Sequence, residues 1–555
     1  MRTINGIQYA DMIRSGAENL NEHRTVVNEL NVFPIPDGDT GDNMFMTISS
    51  GCDAVPDGTG DLEAVSSAAA YGMLLGARGN SGVILSRIFS GIAKSLAGCS
   101  EADVRKFGDA LSCGISESYG AVPVPVEGTI LTVFKDAVHY ANGRIADGHT
   151  FERYFDDFTD ALKISLEKTP DLLDVLKQAG VVDSGGAGLV YIAEGMKDAL
   201  NGCSGVSGSS ERGSAPAKKG PDLGKFGPDS VLTFGYCTEF LLRLQNAKTD
   251  LDHFDLDALI AYLNGVGDSL VCFREGSVVK VHVHTKIPGD VLNHCQQYGE
   301  FLTVKMENMN IQHEETTIRN NYFTPGSQRE NSGPHKKFGF VAVAAGEGLK
   351  EFFRSLGADY VVDGGQSMNP SAEEFLSAFD AVNADVIYVF PNNGNIVLTA
   401  RQAASLYDGK DIRVIPSHSI GQGYCALSML DDSSGDPDAI ESDLNDAIGG
   451  VVTGAVSVAT RDTEQNGLAV KRGQYIGFVG DEIHSVASSP EDAVLGLAGQ
   501  LHAEKYDVLL LLKGSDASED DAEALAGRLE SMFRRTETVL QPGGQPVYQY
   551  IMILQ

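Results

Sequence analysis

The chain has 555 residues, of which 42 are basic and 76 acidic, giving a formal net charge of −34. That surplus repels phosphate backbones and excludes a nucleic-acid binder that works by counterion release; an anionic substrate needs a cation or a locally positive pocket to receive it. A hydrophobic fraction of 42% sustains packed cores and excludes wholesale disorder. The longest apolar runs, such as that around Leu509–Leu512, fall far short of the roughly 20 residues that cross a bilayer. The N-terminal stretch lacks the apolar core of a secretory signal, and the eight cysteines are scattered without a framework. A soluble, cytoplasmic protein of several domains is expected.

Residues 1–200 read as helical. Ala10, Ile13, Ala17 and Leu20 recur at spacings of three and four, and Ile84, Ile88 and Ile92 at four. Residues 201–229 are rich in Gly, Ser, Pro and Lys and cannot bury enough surface to offset ordering entropy, so they read as a linker. Residues 230–320 mix types: FDLDALIAYLNGVGD predicts a helix ending at glycine, and SLVCFREGSVVKVHVHT a hairpin turning at Glu275-Gly276. Residues 321–337 form a second, shorter linker. In residues 338–555 the strand-like runs DVIYVF and IRVIP flank the helical stretch IVLTARQAASLY, which predicts an α/β domain with parallel strands. Gly346-Glu347-Gly348 follows a strand but lacks the third glycine and the acidic partner of a dinucleotide site, so it reads as a structural turn.

Four glycine-rich turns in the first domain each precede an apolar helical run: Pro36-Asp37-Gly38-Asp39-Thr40-Gly41-Asp42-Asn43, Gly76-Ala77-Arg78-Gly79-Asn80-Ser81-Gly82, Glu127-Gly128-Thr129 and Asp183-Ser184-Gly185-Gly186. Helix N-termini expose unpaired N–H groups and partial positive charge, and glycine lets a ligand approach the backbone. One such turn is an ordinary cap. Four in one helical domain point to a polyphosphate site. Asp37 and Asp39, separated by a single glycine, disfavour each other unless a cation lies between them; hard oxygen donors without nearby His or Cys point to Mg²⁺. No Walker P-loop and no protein-kinase lysine set is present, so metal and helix N-termini would have to neutralise the phosphates.

NVFPIPDGDTGDNM, GARGNSGVILS, PVEGTILTV and VVDSGGAGLVYIAEGM resemble the signature stretches of the dihydroxyacetone-kinase L-type domain, in the version found in the ATP-binding subunit of bacterial fatty acid kinase. YCTEFLL, KVHVHT and GGQSMNPS carry the resemblance through the rest of the chain. It implies an all-α helical barrel holding Mg-ATP, an α+β middle domain and an α/β C-terminal domain that docks a partner, a fatty-acid-binding protein of the DegV family. It also implies a homodimer. Carried over residue by residue, Asp37 and Asp39 become Mg²⁺ ligands and the catalytic pair. Asn31, Thr40, Asn43, Gly79, Asn80, Ser81, Gly82, Thr129, Asp183, Gly185 and Gly186 line the nucleotide. Asn31 stands near the place of a third aspartate in the family, where it could serve only as a neutral ligand, and the role of Asp42 is open.

His282 and His284, two apart on a strand, share a face, and Cys237 can complete a zinc set of the kind the resembled family carries. His313 is a further possibility, read rather as a polar helix-end residue, while His418, Cys425 and His484 are assigned to structure. The expected reaction is ATP-dependent phosphorylation of a fatty acid carboxylate, giving an acyl phosphate. A carboxylate is already ionised at neutral pH and needs no general base. The alternatives are a small hydroxy-ketone kinase of the dihydroxyacetone type and a non-catalytic nucleotide sensor or scaffold.

Overall fold

A computed structural model describes residues 1–202, 236–308 and 335–555, except 32–34, 36, 37, 57, 246, 247, 250–253, 276, 286, 366, 367 and 466. Asp37 and His313 therefore lie outside the described residues. The chain divides into two compact units, residues 1–208 with 331–555 and residues 209–330. Residues 1–200 and 338–555, read from the sequence as separate domains, thus fall in one unit.

The helical part of that unit comprises α1 (Gly6–Glu29), α2 (Thr40–Ala54), α3 (Leu62–Leu75), α4 (Gly79–Leu96), α5 (Val104–Ala121), α6 (Ile130–Gly143), α7 (Phe151–Glu167), α8 (Thr169–Leu172), α9 (Asp174–Ala179) and α10 (Ser184–Leu200). Two short strands, β1 (Thr3–Asn5) and β2 (Glu101–Asp103), pair antiparallel beside them. From α1 to α7 each helix packs on the next, and α10 packs on both α7 and α1. The residues whose spacing predicts helix, Ala10, Ile13, Ala17 and Leu20 on α1 and Ile84, Ile88 and Ile92 on α4, all enter one shared core. Burial of these stripes supplies most of the helix stability, since propensity alone holds helices only marginally in water.

In the rest of the unit β7 (Lys336–Ala344), α13 (Glu347–Ser355), β8 (Tyr360–Asp363), α14 (Ala372–Ala381), β9 (Ala384–Phe390), α15 (Val397–Leu406) and β10 (Asp411–Val414) alternate. Their strands form a parallel sheet in the order β10-β9-β7-β8. There follow α16 (Ile420–Ser428), α17 (Pro437–Ile448), β11 (Val452–Val458), β12 (Thr463–Gln465), β13 (Leu468–Val470), β14 (Tyr475–Val479), β15 (Glu482–Ala487), α18 (Pro490–Gln500), β16 (Val508–Lys513), α19 (Glu519–Met532), β17 (Glu537–Pro542) and β18 (Tyr550–Leu554). Most of these strands build a second sheet, β15-β14-β11-β18-β16-β17, parallel only between β16 and β17. Phe340 and Phe390 of the first sheet share a core with Leu510, Leu512 and Ile551 of the second, so the two sheets pack on one another. Gly346 is a structural turn: its φ is +95°, and a Cβ there would stand 2.4 Å from the Gly544 carbonyl oxygen.

The second unit is an antiparallel sheet, β4-β5-β3-β6, built from β3 (Tyr236–Leu244), β4 (Gly267–Glu275), β5 (Val278–Thr285) and β6 (Gly299–Asn308). Helices α11 (Leu256–Val266) and α12 (Pro288–Cys295) supply Leu259, Leu263 and Val291 to a core with Phe240, Leu242, Val281 and Val283. The expected helix and hairpin are both present, since α11 runs into β4 and β4 pairs with β5.

Candidate functional site

The four turns meet at one end of the helical domain. Ser184 Oγ, at the start of α10, donates to Thr40 Oγ1 at the start of α2 over 3.2 Å. A Cβ on Gly79, where α4 begins with φ +58°, would stand 2.5 Å from Asn43 Nδ2, and one on Gly82 would stand 2.4 Å from Thr47 Oγ1. Glycine at 79 and 82 is thus required for α4 to approach α2 this closely. Gly185 packs on Ile130 beside Thr129, which brings the start of α6 to the start of α10. Thr129 Oγ1 donates to the Val126 carbonyl, and neither it nor Arg78, which precedes α4, caps its own helix by side chain.

Asp39 stands at the head of α2, only 8% exposed, yet its side chain makes no cap bond to that helix. Asn28 of α1 caps it instead: its Oδ1 accepts from Gly41 N at 2.7 Å and Asp42 N at 3.3 Å. The Asp39 carboxylate accepts from Asn369 Nδ2 of the last domain. Asp42, whose role the sequence leaves open, is held by Asn28 Nδ2 at 2.8 Å and by Arg24 Nε at 3.0 Å. Asn31 faces the same cleft as Asp39. The Oδ1 atoms of Asn43 and Asn80 are buried at these turns without a hydrogen-bond partner. A buried carboxylate with two such carbonyl acceptors, set among helix N-termini, fits a hard cation together with a phosphate chain.

Asp183 differs from the other turn residues. Its Oδ2 accepts from Gly186 N at 2.6 Å, so the carboxylate closes the first turn of its own helix. Burial outweighs the backbone hydrogen bonds and pushes its pKa up from 3.8 to about 6. The third turn is likewise tied inward, with Glu127 accepting from Thr132 Oγ1 at 2.5 Å and from Lys135 Nζ at 2.8 Å.

A cavity of about 640 Å³ opens beside Asn31 and Asp39 and extends into the last domain past Met368, Asn393, His418 and Ile483. Sequence reasoning gave no role at the site to Asn28, Asn369 or His418. Asn369 lies in the quoted GGQSMNPS stretch, but no spacing links it to Asp39, 330 positions away.

In the second unit the strand register sets Cys237 opposite His284 and Glu239 opposite His282. The side chains of Cys237, His282 and His284 lie outside those described, and among the described residues no group of three metal-binding side chains is present. No helix among the described residues is long and apolar enough to cross a membrane.

The helical domain, residues 34–198, matches the DAK2 domain, and that match makes the chain a kinase of this class. Residues 233–316 and 339–555 match the middle and C-terminal domains of FakA-like fatty acid kinase proteins. The chain belongs to this fatty acid kinase family. Protein YloV of Bacillus subtilis is 38% identical over 557 residues, covering 100% of this chain and 99% of its own. Among solved structures, the dihydroxyacetone kinase from C. freundii in complex with AMP-PNP and Mg²⁺ is 18% identical with a TM-score of 0.28, over 36% of this chain and 34% of that one. A fatty-acid-binding DegV family protein from Thermus thermophilus is 14% identical with a TM-score of 0.30, over 40% of this chain and 100% of that one.

Proposed function

We propose that the chain transfers the γ-phosphoryl group of ATP to the carboxylate of a fatty acid, which a separate fatty-acid-binding protein of the DegV family presents, and that the product is an acyl phosphate. The observation that carries this reading is the meeting of four glycine-rich helix starts around the buried Asp39 carboxylate, in a chain of the fatty acid kinase family. Asp37 and Asp39, with Asn31 as a neutral partner, would hold Mg²⁺, which when bound offsets charge on the phosphoryl group in flight. Thr40, Asn43, Gly79, Asn80, Ser81, Gly82, Thr129, Gly185 and Gly186 would cradle the phosphates through amides and short polar side chains. Asp183 keeps that cradle in shape by closing the first turn of α10.

The acceptor carboxylate arrives ionised, so the chain has only to hold the two reactants in line and exclude water. Partner dependence has a physical motive. A long acyl chain needs a deep apolar cavity, whereas the turns of the helical domain are polar. We read the circuit of packed helices as the barrel of this domain class, the protein as a cytoplasmic homodimer, and Cys237, His282 and His284 as a zinc site in the middle domain. Facing register of Cys237 and His284 supports the zinc reading. The test is ATP turnover by the purified chain, which should be very slow with free oleate or palmitate and rise when a lipid-loaded DegV-family protein is added. Rapid phosphorylation of dihydroxyacetone by the chain alone would overturn it.

A further inference from the structure

The carboxylate at the centre of the proposed site accepts a hydrogen bond from a residue 330 positions further along the chain. We propose that the nucleotide site is composite: Asn369, on the loop before α14, is a positioning residue that fixes Asp39 for the cation of a Mg-nucleotide. The proposal rests on the kinase reading above and extends it to the last domain.

Asn369 is 2% exposed and Asp39 8%, so water cannot readily replace the bond from Asn369 Nδ2 to Asp39 Oδ2. An aspartate at the head of a helix ordinarily caps it. Here Asn28 does that work, and the Asp39 carboxylate accepts a hydrogen bond across the domain boundary. The loop that carries Asn369 is itself fastened to the second turn. Arg78 Nη1 donates to the Asn369 carbonyl at 2.9 Å and pairs with Glu374 Oε2 at 3.1 Å. The same Glu374 oxygen accepts from Ser371 N at 2.6 Å, and Ala372 N donates to the Ala77 carbonyl at 3.3 Å. These bonds end on Ala77 and Arg78, immediately before Gly79.

Asn369 Oδ1 would lie 3.6 Å from a Cβ on Gly79, beside the Asn43 amide. Asp39, Asn43, Gly79 and Asn369 therefore converge on one spot from three separate segments. A carboxylate that binds a metal is commonly held by an outer hydrogen-bond donor, whose loss costs about 10- to 100-fold in metal affinity. Anything bound to the last domain that shifts this loop changes Mg-nucleotide affinity, and by linkage the nucleotide changes that binding by the same factor.

The test is calorimetric titration of the full chain with Mg-ADP, and with ADP in EDTA, so that no acyl acceptor is needed. Asn369→Ala should weaken Mg-ADP about 10- to 100-fold while leaving metal-free ADP essentially unchanged. An unchanged Mg-ADP affinity, or an equal loss with and without metal, overturns the positioning role. Wild-type protein that binds no Mg-nucleotide overturns the kinase reading along with it. A second variant keeps Asn369 in place in case the alanine protein unfolds. Ala77→Cys with Ala372→Cys, oxidised to a disulfide, locks the loop on the turn; such a bridge requires Cα atoms about 4.4–6.8 Å apart. The oxidised protein should bind Mg-ADP as tightly as the reduced one. Loss on oxidation that a reductant restores would mean that the loop must lift for nucleotide to enter, and Asn369 would then be an obstacle.

Discussion

Asp183→Asn is expected to alter the stability of the nucleotide-free protein in a pH-dependent way. In the wild type, burial raises the folded-state pKa from 3.8 to about 6, so the folded chain holds the Asp183 proton more tightly than the unfolded chain does. Below about pH 4 both states are protonated and the group makes no difference to stability. As pH rises from about 4 to 6 the unfolded chain ionises first, and stability falls; above that window the full penalty is present. The rise from 3.8 to about 6, at about 1.4 kcal/mol for each tenfold change in proton affinity, gives a penalty of about 3 kcal/mol as an order of magnitude. Asparagine has the same shape, stays neutral and keeps an oxygen to accept from Gly186 N, but its NH2 faces the Ile130 N–H that the carboxylate also accepts from, which adds a cost independent of pH. The stability of the variant relative to the wild type should therefore rise by up to about 3 kcal/mol between pH 4 and pH 8. Calorimetric unfolding across this range measures it, with hydrogen exchange of the 184–200 segment as the local readout. A difference that does not depend on pH, or one that moves in favour of the wild type as pH rises, would refute the reasoning.

Three further outcomes are expected. Asp39→Asn should lower turnover about 100-fold or more, consistent with losing several kcal/mol of charge stabilisation, while the melting temperature stays near that of the wild type; steady-state kinetics beside thermal unfolding checks both. Gly79→Ala should destabilise the start of α4 by about 1–3 kcal/mol, because φ is +58° there and the new methyl meets Asn43, and Mg-ATP affinity should fall with it. Zinc should be found by metal analysis of protein purified without a histidine tag and should drop in His284→Ala; near-stoichiometric zinc in a variant lacking Cys237, His282 and His284 would place the metal elsewhere.

What could be read from residue order follows from the range of the forces involved. The stripe Ala10, Ile13, Ala17, Leu20 repeats within a few turns and becomes buried, because a helix has only one way to turn such a stripe inward. The strands DVIYVF and IRVIP pair in parallel as β9 and β10, since the alternation that produces them is also local. The mixed second sheet was out of reach: β18 inserts between β11 and β16, an order that no neighbouring residues encode. At the site, the four turns were recognisable because each contains its own signal of glycine and capping residues. Asn28 and Asn369 gave none, because an asparagine far along the chain looks like any other until the fold brings it to Asp39. Asp42 and Asp183 show the converse, since carboxylates at the glycine-rich turns are here occupied by Arg24 and Asn28 and by the Gly186 amide. Deleting residues 338–555 is no clean test of partner docking, because it also removes the bond to Asp39 and the anchors on Ala77 and Arg78.

The most direct measurement of the central claim is chemical trapping of the product. Hydroxylamine converts an acyl phosphate into a stable hydroxamate that mass spectrometry identifies together with its acyl chain. With the full chain, Mg-ATP and a lipid-loaded DegV-family protein, a fatty hydroxamate should accumulate in step with ADP, and omitting any one of the three should abolish it. ADP release without hydroxamate in the complete mixture, or equal hydroxamate from free fatty acid without the binding protein, would contradict the account.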